Sequence, residues 1–202
     1  MRVCGIDPGI SNLGVCVAEQ DENDEFHIIE LQKVNLFQQG TQRYKYESKQ
    51  LSGLVYRFVR NNHDLFATCD MFLIENQMAH AMYKVQFGLE CILHDYGKVV
   101  PVHPATVKAF FKTATKKYKT NKNAAVHYCK SQLSGPNLSL FRRFTTGTKA
   151  DDVADATMLA KYGVMNYENL QQVRLTAFED CHTKKKRKRK GATKKSKKKI
   201  TT

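Results

Sequence analysis

The chain has 202 residues, of which 42% are hydrophobic, and a formal net charge of +14 at pH 7. This length suits one domain with a substantial core and leaves no room for a second of similar size. No apolar run reaches the roughly 18 residues of a membrane span, and Asp7 interrupts the region where a signal peptide would be apolar, so we expect an intracellular protein without a membrane partner.

The six cysteines are expected to be reduced thiols. They are spread along the chain with no C-x-x-C pair and no short cluster of cysteine and histidine. Structural zinc and a framework of disulfide bonds are therefore not expected.

The positive charge is concentrated near the end of the sequence. Residues 183–202 contain 12 of the 33 lysines and arginines and no acidic residue, which leaves 21 basic and 19 acidic residues in 1–182. A segment so rich in charge cannot bury enough apolar surface to fold, so we predict a globular domain over 1–182 and a disordered basic tail over 183–202. Nucleic acid is one expected partner of the tail, and the alternative is a nuclear-import signal or a generic solubilising tail.

The apolar pattern predicts five strands and five helices. In chain order, the strands are residues 1–7, 13–19, 25–36, 71–75 and 98–104, and the helices are residues 49–62, 83–96, 105–112, 121–133 and 151–165. A short turn at Pro8-Gly9 makes the first two strands an antiparallel pair. Three antiparallel strands followed by alternating helices and strands indicate a mixed α/β sheet with flanking helices.

Two of these strands end in an acidic residue, and the last helix begins with several. Asp7 ends the first strand and Glu75 ends the fourth, so their carboxylates meet at one edge of the sheet if the two strands are neighbours. Asp152 and Asp155 are three residues apart and share a face of the last helix. Four converging carboxylates repel one another unless divalent cations bind them, and an all-oxygen site suits Mg²⁺, with Mn²⁺ as a substitute. Two such ions about 3.5–4 Å apart can hold a scissile phosphate.

Each acid also has an ordinary structural explanation. Asp7 could cap the turn that follows it, and Glu75 could be an exposed strand terminus. Asp152 and Asp155 could stabilise the first turn of a helix through its dipole. The repetition of an acid at two strand ends favours the metal site over these explanations.

Three segments carry a resemblance to a known family. In this order, "GIDPGISNLGV", "FLIENQ" and "KADDVADA" resemble the active-site segments of RuvC-like Holliday junction resolvases, in the form found in poxviruses and other large DNA viruses. The resemblance covers residues 1–167. It implies an RNase H-like fold with a mixed five-stranded sheet. It also implies a homodimer that cuts opposing strands of four-way DNA junctions by two-metal hydrolysis, in recombination or in the processing of replication intermediates.

The resemblance assigns a role to each of the four acids. Asp7, Glu75, Asp152 and Asp155 fall on the family's catalytic, metal-binding positions, with two Mg²⁺ ions in each site. The family spacing of three residues selects Asp152 over Asp151, which is then a first-turn residue favoured by the helix dipole.

Four further residues match expected DNA contacts less closely. Lys108 in "VHPATVKAFF" and Lys122 in "TNKNAAVHYC" align with lysines that contact phosphate, or lie on solvated helix faces. Met78 stands where bacterial relatives carry an aromatic wedge three residues after the acid. Methionine can pack against an unstacked base, but strong sequence preference at the cut is then not expected. Tyr83 is an alternative wedge, although packing in the core is its favoured role.

Other functions stay open at this point. An RNase H-like nuclease for other branched DNA or an RNA–DNA hybrid would use the same acids. "GIDPGISNLG" is also similar to the phosphate-binding loop of the actin and sugar-kinase superfamily, but the length leaves no room for a second enclosing domain, so no nucleotide cofactor is expected. A non-catalytic basic DNA-binding protein gives the acids no reason to converge. For a resolvase, the nucleus and a viral site of DNA replication are both suitable locations.

Overall fold

The computed structural model describes residues 1–39, 42–43, 50–114, 118–145 and 150–172, and at 39, 42–43 and 118–122 the description is limited to the backbone. Met1–Met165 form one compact unit, and the described residues that follow it, 166–172, belong to a separate unit and are helical at 167–172. The predicted domain boundary at residue 182 and the predicted basic tail lie outside the described residues. None of the described helices combines the length and apolar composition needed to cross a membrane.

The described residues of the first unit, Met1–Met165, fold into seven strands and seven helices. The strands are β1 (Arg2–Asp7), β2 (Leu13–Gln20), β3 (Phe26–Val34), the two-residue strands β4 (Gln38–Gln39) and β5 (Gln42–Arg43), β6 (Met71–Glu75) and β7 (Lys98–Val102). The helices are α1 (Leu51–Asn61), α2 (His63–Phe66), α3 (His80–Leu93), α4 (Pro104–Phe110), α5 (Tyr118–Gln132), α6 (Gly135–Thr145) and α7 (Asp151–Met165).

The main sheet is mixed and has five strands in the order β3-β2-β1-β6-β7. β2 pairs antiparallel with β1 and β3, whereas β6 pairs parallel with β1 and β7. The central strands β1 and β6 are buried along almost their whole length, which explains their nearly continuous apolar sequence. The predicted mixed α/β sheet is confirmed.

Helices cover both faces of this sheet. Cys4 and Ile6 belong to the core cluster that includes residues of α1 and α3, so these two helices cover one face. The intervening residues of β1 point the other way, because side chains alternate along a strand. There, α7 packs directly on β1 and β2. Asp7, two residues beyond Gly5, therefore lies on the same face as α7.

Within Met1–Met165, four elements were not expected from the sequence: the helices α2 and α6 and the two-residue strands β4 and β5. α6 begins at the Gly135-Pro136 dipeptide, which usually indicates a turn, although proline also suits the first turn of a helix. Asn137 fixes this helix to β3, because its side chain donates to the carbonyl of Phe26 at 2.7 Å and accepts from the amide of Ile28 at 2.9 Å. Such long-range hydrogen bonds leave no periodic signal in the sequence.

Candidate metal centre

The register of two parallel strands places Asp7 beside Glu75. Ile6 of β1 pairs with Ile74 of β6, and the next residue of each strand is an acid. Neighbouring strands lie about 4.8 Å apart, so the two half-buried carboxylates are close to one another. The side-chain nitrogen of Gln77 donates to Asp7 Oδ1 at 3.3 Å and to Glu75 Oε1 at 3.4 Å, which shows that one donor reaches both groups.

Glycines in the sheet let α7 bring two further acids to the same place. Gly14 of β2 pairs with Asp7, and a Cβ atom at Gly14 would lie 2.2 Å from the backbone oxygen of Asp152. At Gly5 an added Cβ would lie 2.4 Å from the backbone oxygen of Ala156. Only glycine permits so close an approach, because any side chain would push the helix away. The start of α7 thus lies directly on the sheet beside the strand acids.

The electrostatics show that the four acids influence one another. Burial first, and then the charges of Glu75, Asp155 and Asp152, raise the pKa of Asp7 well above its ordinary value. Burial and the charge of Asp155 are the largest causes that raise the pKa of Glu75 to about 7. Both shifts express the free-energy cost of crowding negative charge in a half-buried place.

This donor set fits a hard divalent cation. Four carboxylates supply oxygen ligands alone, which suit Mg²⁺ or Mn²⁺, whereas structural zinc sites favour cysteine and histidine. Oδ2 of Asp152 is itself buried. A cation bound among these groups would relieve the repulsion that otherwise favours protonation of Asp7 and Glu75.

Lys108 lies against the acids. Its ammonium nitrogen on α4 is 3.8 Å from Oδ1 of Asp155, and both side chains are largely buried, with exposed fractions of 22% and 15%. The positive charge lowers the pKa of Asp7 and of Glu75, in opposition to the acids. Of the two lysines selected from the sequence, Lys108 thus has a described position at the site. For Lys122, on α5, the structure describes the backbone alone.

The two candidate wedge residues lie at the surface beyond β6. Met78, three residues after Glu75, is 96% exposed. Tyr83 is 50% exposed and stacks on Phe87, with ring centroids 6.4 Å apart. The expectation that Tyr83 packs in the core is therefore wrong. It lies one helical turn before Phe87, and both rings face outward from α3.

The sequence interpretation missed two glutamines near the acids. Gln77 contacts both strand acids, and Gln86 is buried on α3, where it bonds to the backbone of Gln77. A signal for Gln86 was present, because it is a polar residue on the apolar face that carries Val85 and Leu89. Nothing in the spacing indicated which groups it would contact.

A separate group of metal-ligating side chains lies at the turn between β2 and β3. Ligand atoms of Asp21, Glu25 and His27 lie within 4.8 Å of one another. Asp21 Oδ1 accepts from the amides of Asn23 and Glu25, and its other oxygen contacts His27 at 2.9 Å. These bonds account for the group as part of a hairpin turn.

Three solved structures share this fold. The yeast mitochondrial Holliday junction resolvase Ydc2 matches with a TM-score of 0.61 and 21% identity over 88% of this chain and 85% of that one. The fowlpox virus resolvase, in complex with substrate Holliday junction DNA, matches with a TM-score of 0.59 and 15% identity over 83% and 99%. RuvC of Thermus thermophilus matches with a TM-score of 0.55 and 18% identity over 83% and 96%. Together they show a RuvC-like, RNase H-like fold.

Sequence similarity identifies the family. No curated protein sequence matches the chain significantly. The family model described as "Poxvirus A22 protein" matches residues 1–168, a range that contains Asp7, Glu75, Asp152 and Asp155. The resemblance carried by the three sequence segments is thereby confirmed. The chain belongs to the poxvirus A22 family of RuvC-like Holliday junction resolvases.

Proposed function

We propose that the protein hydrolyses opposing strands of four-way DNA junctions, using Asp7, Glu75, Asp152 and Asp155 to hold two divalent cations. The observation that carries this proposal is the convergence of two strand-end acids and two acids of one helix face at a single sheet edge. Membership of a family of metal-dependent junction endonucleases supports it. Mg²⁺ is the proposed cation, because the donor set is all oxygen.

The acids and Lys108 have different roles at the phosphate: the acids bind the cations, and Lys108 contacts the phosphate directly. Bound divalent cations supply charge that neutralises the scissile phosphate and Lewis acidity that activates water. The acids fix where that charge is held, with Asp7 and Glu75 placed by adjacent strands and Asp152 and Asp155 by α7. Lys108, 3.8 Å from Asp155, adds a fixed positive charge that can contact a phosphate oxygen of the bound strand.

DNA contacts outside the acids are proposed for four side chains. Lys108 and Lys122 neutralise phosphates, and Met78 and Tyr83 pack against bases exposed near the junction. The exposure of Met78, at 96%, makes it available to an unstacked base without any change in the core. The fowlpox virus resolvase, a structural relative, is described with its substrate Holliday junction DNA, which supports branched DNA as the substrate here.

We also propose that the active species is a homodimer. Resolution of a four-way junction needs a cut in each of two opposing strands, and the described part of one chain brings together one group of the four proposed metal-binding acids. A twofold dimer presents two such groups to strands related by the approximate twofold symmetry of the junction.

A substrate panel tests this function. Wild type is incubated with Mg²⁺ and an end-labelled immobile four-way junction, a linear duplex of the same sequence or an RNA–DNA hybrid. We expect cutting of the junction only, with Glu75→Gln still binding it but not cutting it. Cutting of the hybrid alone would assign an RNase H-type activity. A Glu75→Gln variant that cuts at the wild-type rate would contradict the assignment of the acids.

A further inference from the structure

Gln86 is a polar residue buried on the apolar face of α3, and among the described residues its side chain bonds to Asn76 and Gln77, which follow Glu75, and to Glu90 of its own helix. The residue is 5% exposed, beside Val85 and Leu89, which are fully buried. Its oxygen accepts from the backbone amide of Gln77 at 2.7 Å. Its nitrogen donates to Asn76 Oδ1 at 3.0 Å and to Glu90 Oε1 at 2.7 Å. A buried amide is tolerated because these bonds satisfy it.

The bonds of Gln86 fix the two residues that follow Glu75. Asn76 is held by its backbone amide, which donates to the carbonyl of Val102 on β7 at 2.9 Å, and by its side chain, which accepts from Gln86. Gln77 is held through its backbone amide by Gln86. The chain leaving β6 is therefore attached to β7 on one side and to α3 on the other.

From this fixed backbone, the side chain of Gln77 reaches back to both strand acids. One nitrogen donates to Asp7 Oδ1 at 3.3 Å and Glu75 Oε1 at 3.4 Å. Both distances are at the long end for N–H···O bonds, so each bond is weak and depends on where the backbone places the amide. The amide orients two carboxylates without adding a charge, and each carboxylate oxygen keeps a second lone pair for another partner.

We propose that Gln77 is a positioning residue that orients the Asp7 and Glu75 carboxylates to receive the divalent cation, and that Gln86 acts by placing Gln77. This inference rests on the proposed function, because it takes the two acids as ligands. Groups that hydrogen-bond to metal ligands fix the ligands' orientation, and losing one weakens metal binding by about 10- to 100-fold. The side-chain hydrogen bonds described for Gln86 go to Gln77, Asn76 and Glu90, so we infer that its effect passes through the backbone of Gln77.

Calorimetric titration of the full-length, DNA-free protein with Mn²⁺ tests the proposal. Gln77→Ala weakens Mn²⁺ binding by about tenfold. Gln86→Met, which keeps the volume and removes the hydrogen bonds, weakens it similarly. Together they weaken it no more than Gln77→Ala alone. Gln32→Met, on β3, is the matched control. It removes another side-chain amide hydrogen bond, from Gln32 to Asn62 Oδ1 at 3.1 Å, and is expected to leave Mn²⁺ affinity unchanged.

Thermal unfolding in EDTA separates positioning from a general loss of structure. Gln86→Met lowers the melting temperature in the wild-type and the Gln77→Ala backgrounds alike, whereas its effect on Mn²⁺ affinity is present only in the wild-type background. Wild-type Mn²⁺ affinity in Gln77→Ala would overturn the proposal. A further loss of affinity from Gln86→Met in that background would overturn the route from Gln86 through Gln77.

Asp7→Asn distinguishes this inference from the function on which it rests. The variant loses Mn²⁺ binding if Asp7 is a ligand. If Asp7→Asn binds Mn²⁺ like wild type, the assignment of the acids fails. If Asp7→Asn loses binding while Gln77→Ala keeps it, only the role of Gln77 fails.

Discussion

At the scale of single residues, the carboxyl group of Glu75 links stability to pH. Its pKa is about 7, against an ordinary value of 4.5, because burial and the neighbouring acids disfavour its charge. Between these two values the folded chain binds more protons than the unfolded chain. The free energy of unfolding of the metal-free protein therefore falls as pH rises from 4.5 to about 7. The stability that the protonated Glu75 side chain contributes is fully present below pH 4.5 and is lost above about pH 7.

Glu75→Gln removes this dependence. In EDTA, the decline of melting temperature with rising pH is expected to be shallower in the variant than in wild type. Above about pH 7 the variant melts higher, by about 2–4 °C for each kcal/mol of repulsion relieved. Saturating Mg²⁺ is expected to raise the melting temperature of wild type more than that of the variant. Identical pH profiles for the two proteins in EDTA would show that Glu75 is not under electrostatic strain.

The neighbouring pair Asp151 and Asp152 gives a second prediction at this scale. Both lie in the first turn of α7, but it is Asp152 whose charge raises the pKa of Asp7 and of Glu75. Asp152→Asn is expected to reduce junction cleavage by about 100-fold or more, since metal-ion catalysis supplies several kcal/mol. Asp151→Asn, matched in charge and element, is expected to keep most of the activity. Equal losses in single-turnover cleavage would contradict this choice between them.

At the scale of elements, the close packing of α7 on β1 and β2 sets the position of its acids. Gly14→Ala would place a Cβ 2.2 Å from the backbone oxygen of Asp152, so the helix must move. Such overpacking costs about 1–3 kcal/mol, and a displacement of about 1 Å at a catalytic group can cost about 100-fold in rate. We therefore expect a lower melting temperature and much slower junction cleavage in this variant.

Gly53→Ala is the matched control for that substitution. Gly53 lies within α1, where an added Cβ meets nothing within 4 Å. Alanine is favoured over glycine inside a helix by about 1 kcal/mol, so this variant is expected to melt about 2–4 °C higher than wild type and to cut normally. If Gly14→Ala behaves like Gly53→Ala, the close approach of α7 does not position the site.

Some features of the fold and the site could be predicted from the sequence, and others could not. Strand-end acids and the i, i+3 pair on α7 follow local periodicity, so Asp7, Glu75, Asp152 and Asp155 could be selected before their positions were known. α6 depends on long-range bonds from Asn137, and the positions of Gln77 and Gln86 depend on contacts between β6, β7 and α3. Such contacts arise only after the sheet has formed, which explains why spacing did not reveal them.

At the scale of the whole molecule, charge is divided between the two predicted parts of the chain. Residues 183–202 carry 12 of the 33 lysines and arginines. Deleting them is expected to weaken junction binding and to flatten its dependence on salt, since fewer counterions are released from phosphates. Affinity measured across a series of salt concentrations checks this, with Asp7→Asn as a full-length control for the slope. An unchanged slope after deletion would assign the basic run to targeting, such as nuclear import.

The proposed activity requires the acids, the metal and the junction together. The measurement that tests it most directly is cleavage of an immobile four-way junction, with each strand end-labelled in turn, by wild type and by Asp7→Asn, with Mg²⁺ or with EDTA. We expect symmetric cuts in two opposing strands, made by wild type but not by Asp7→Asn, and only with Mg²⁺. Glu19→Gln, which removes an acid paired with Arg2 at 2.8 Å on β1, is expected to cut like wild type. Paired cuts by Asp7→Asn, or by wild type in EDTA, would contradict the proposed metal-dependent active site.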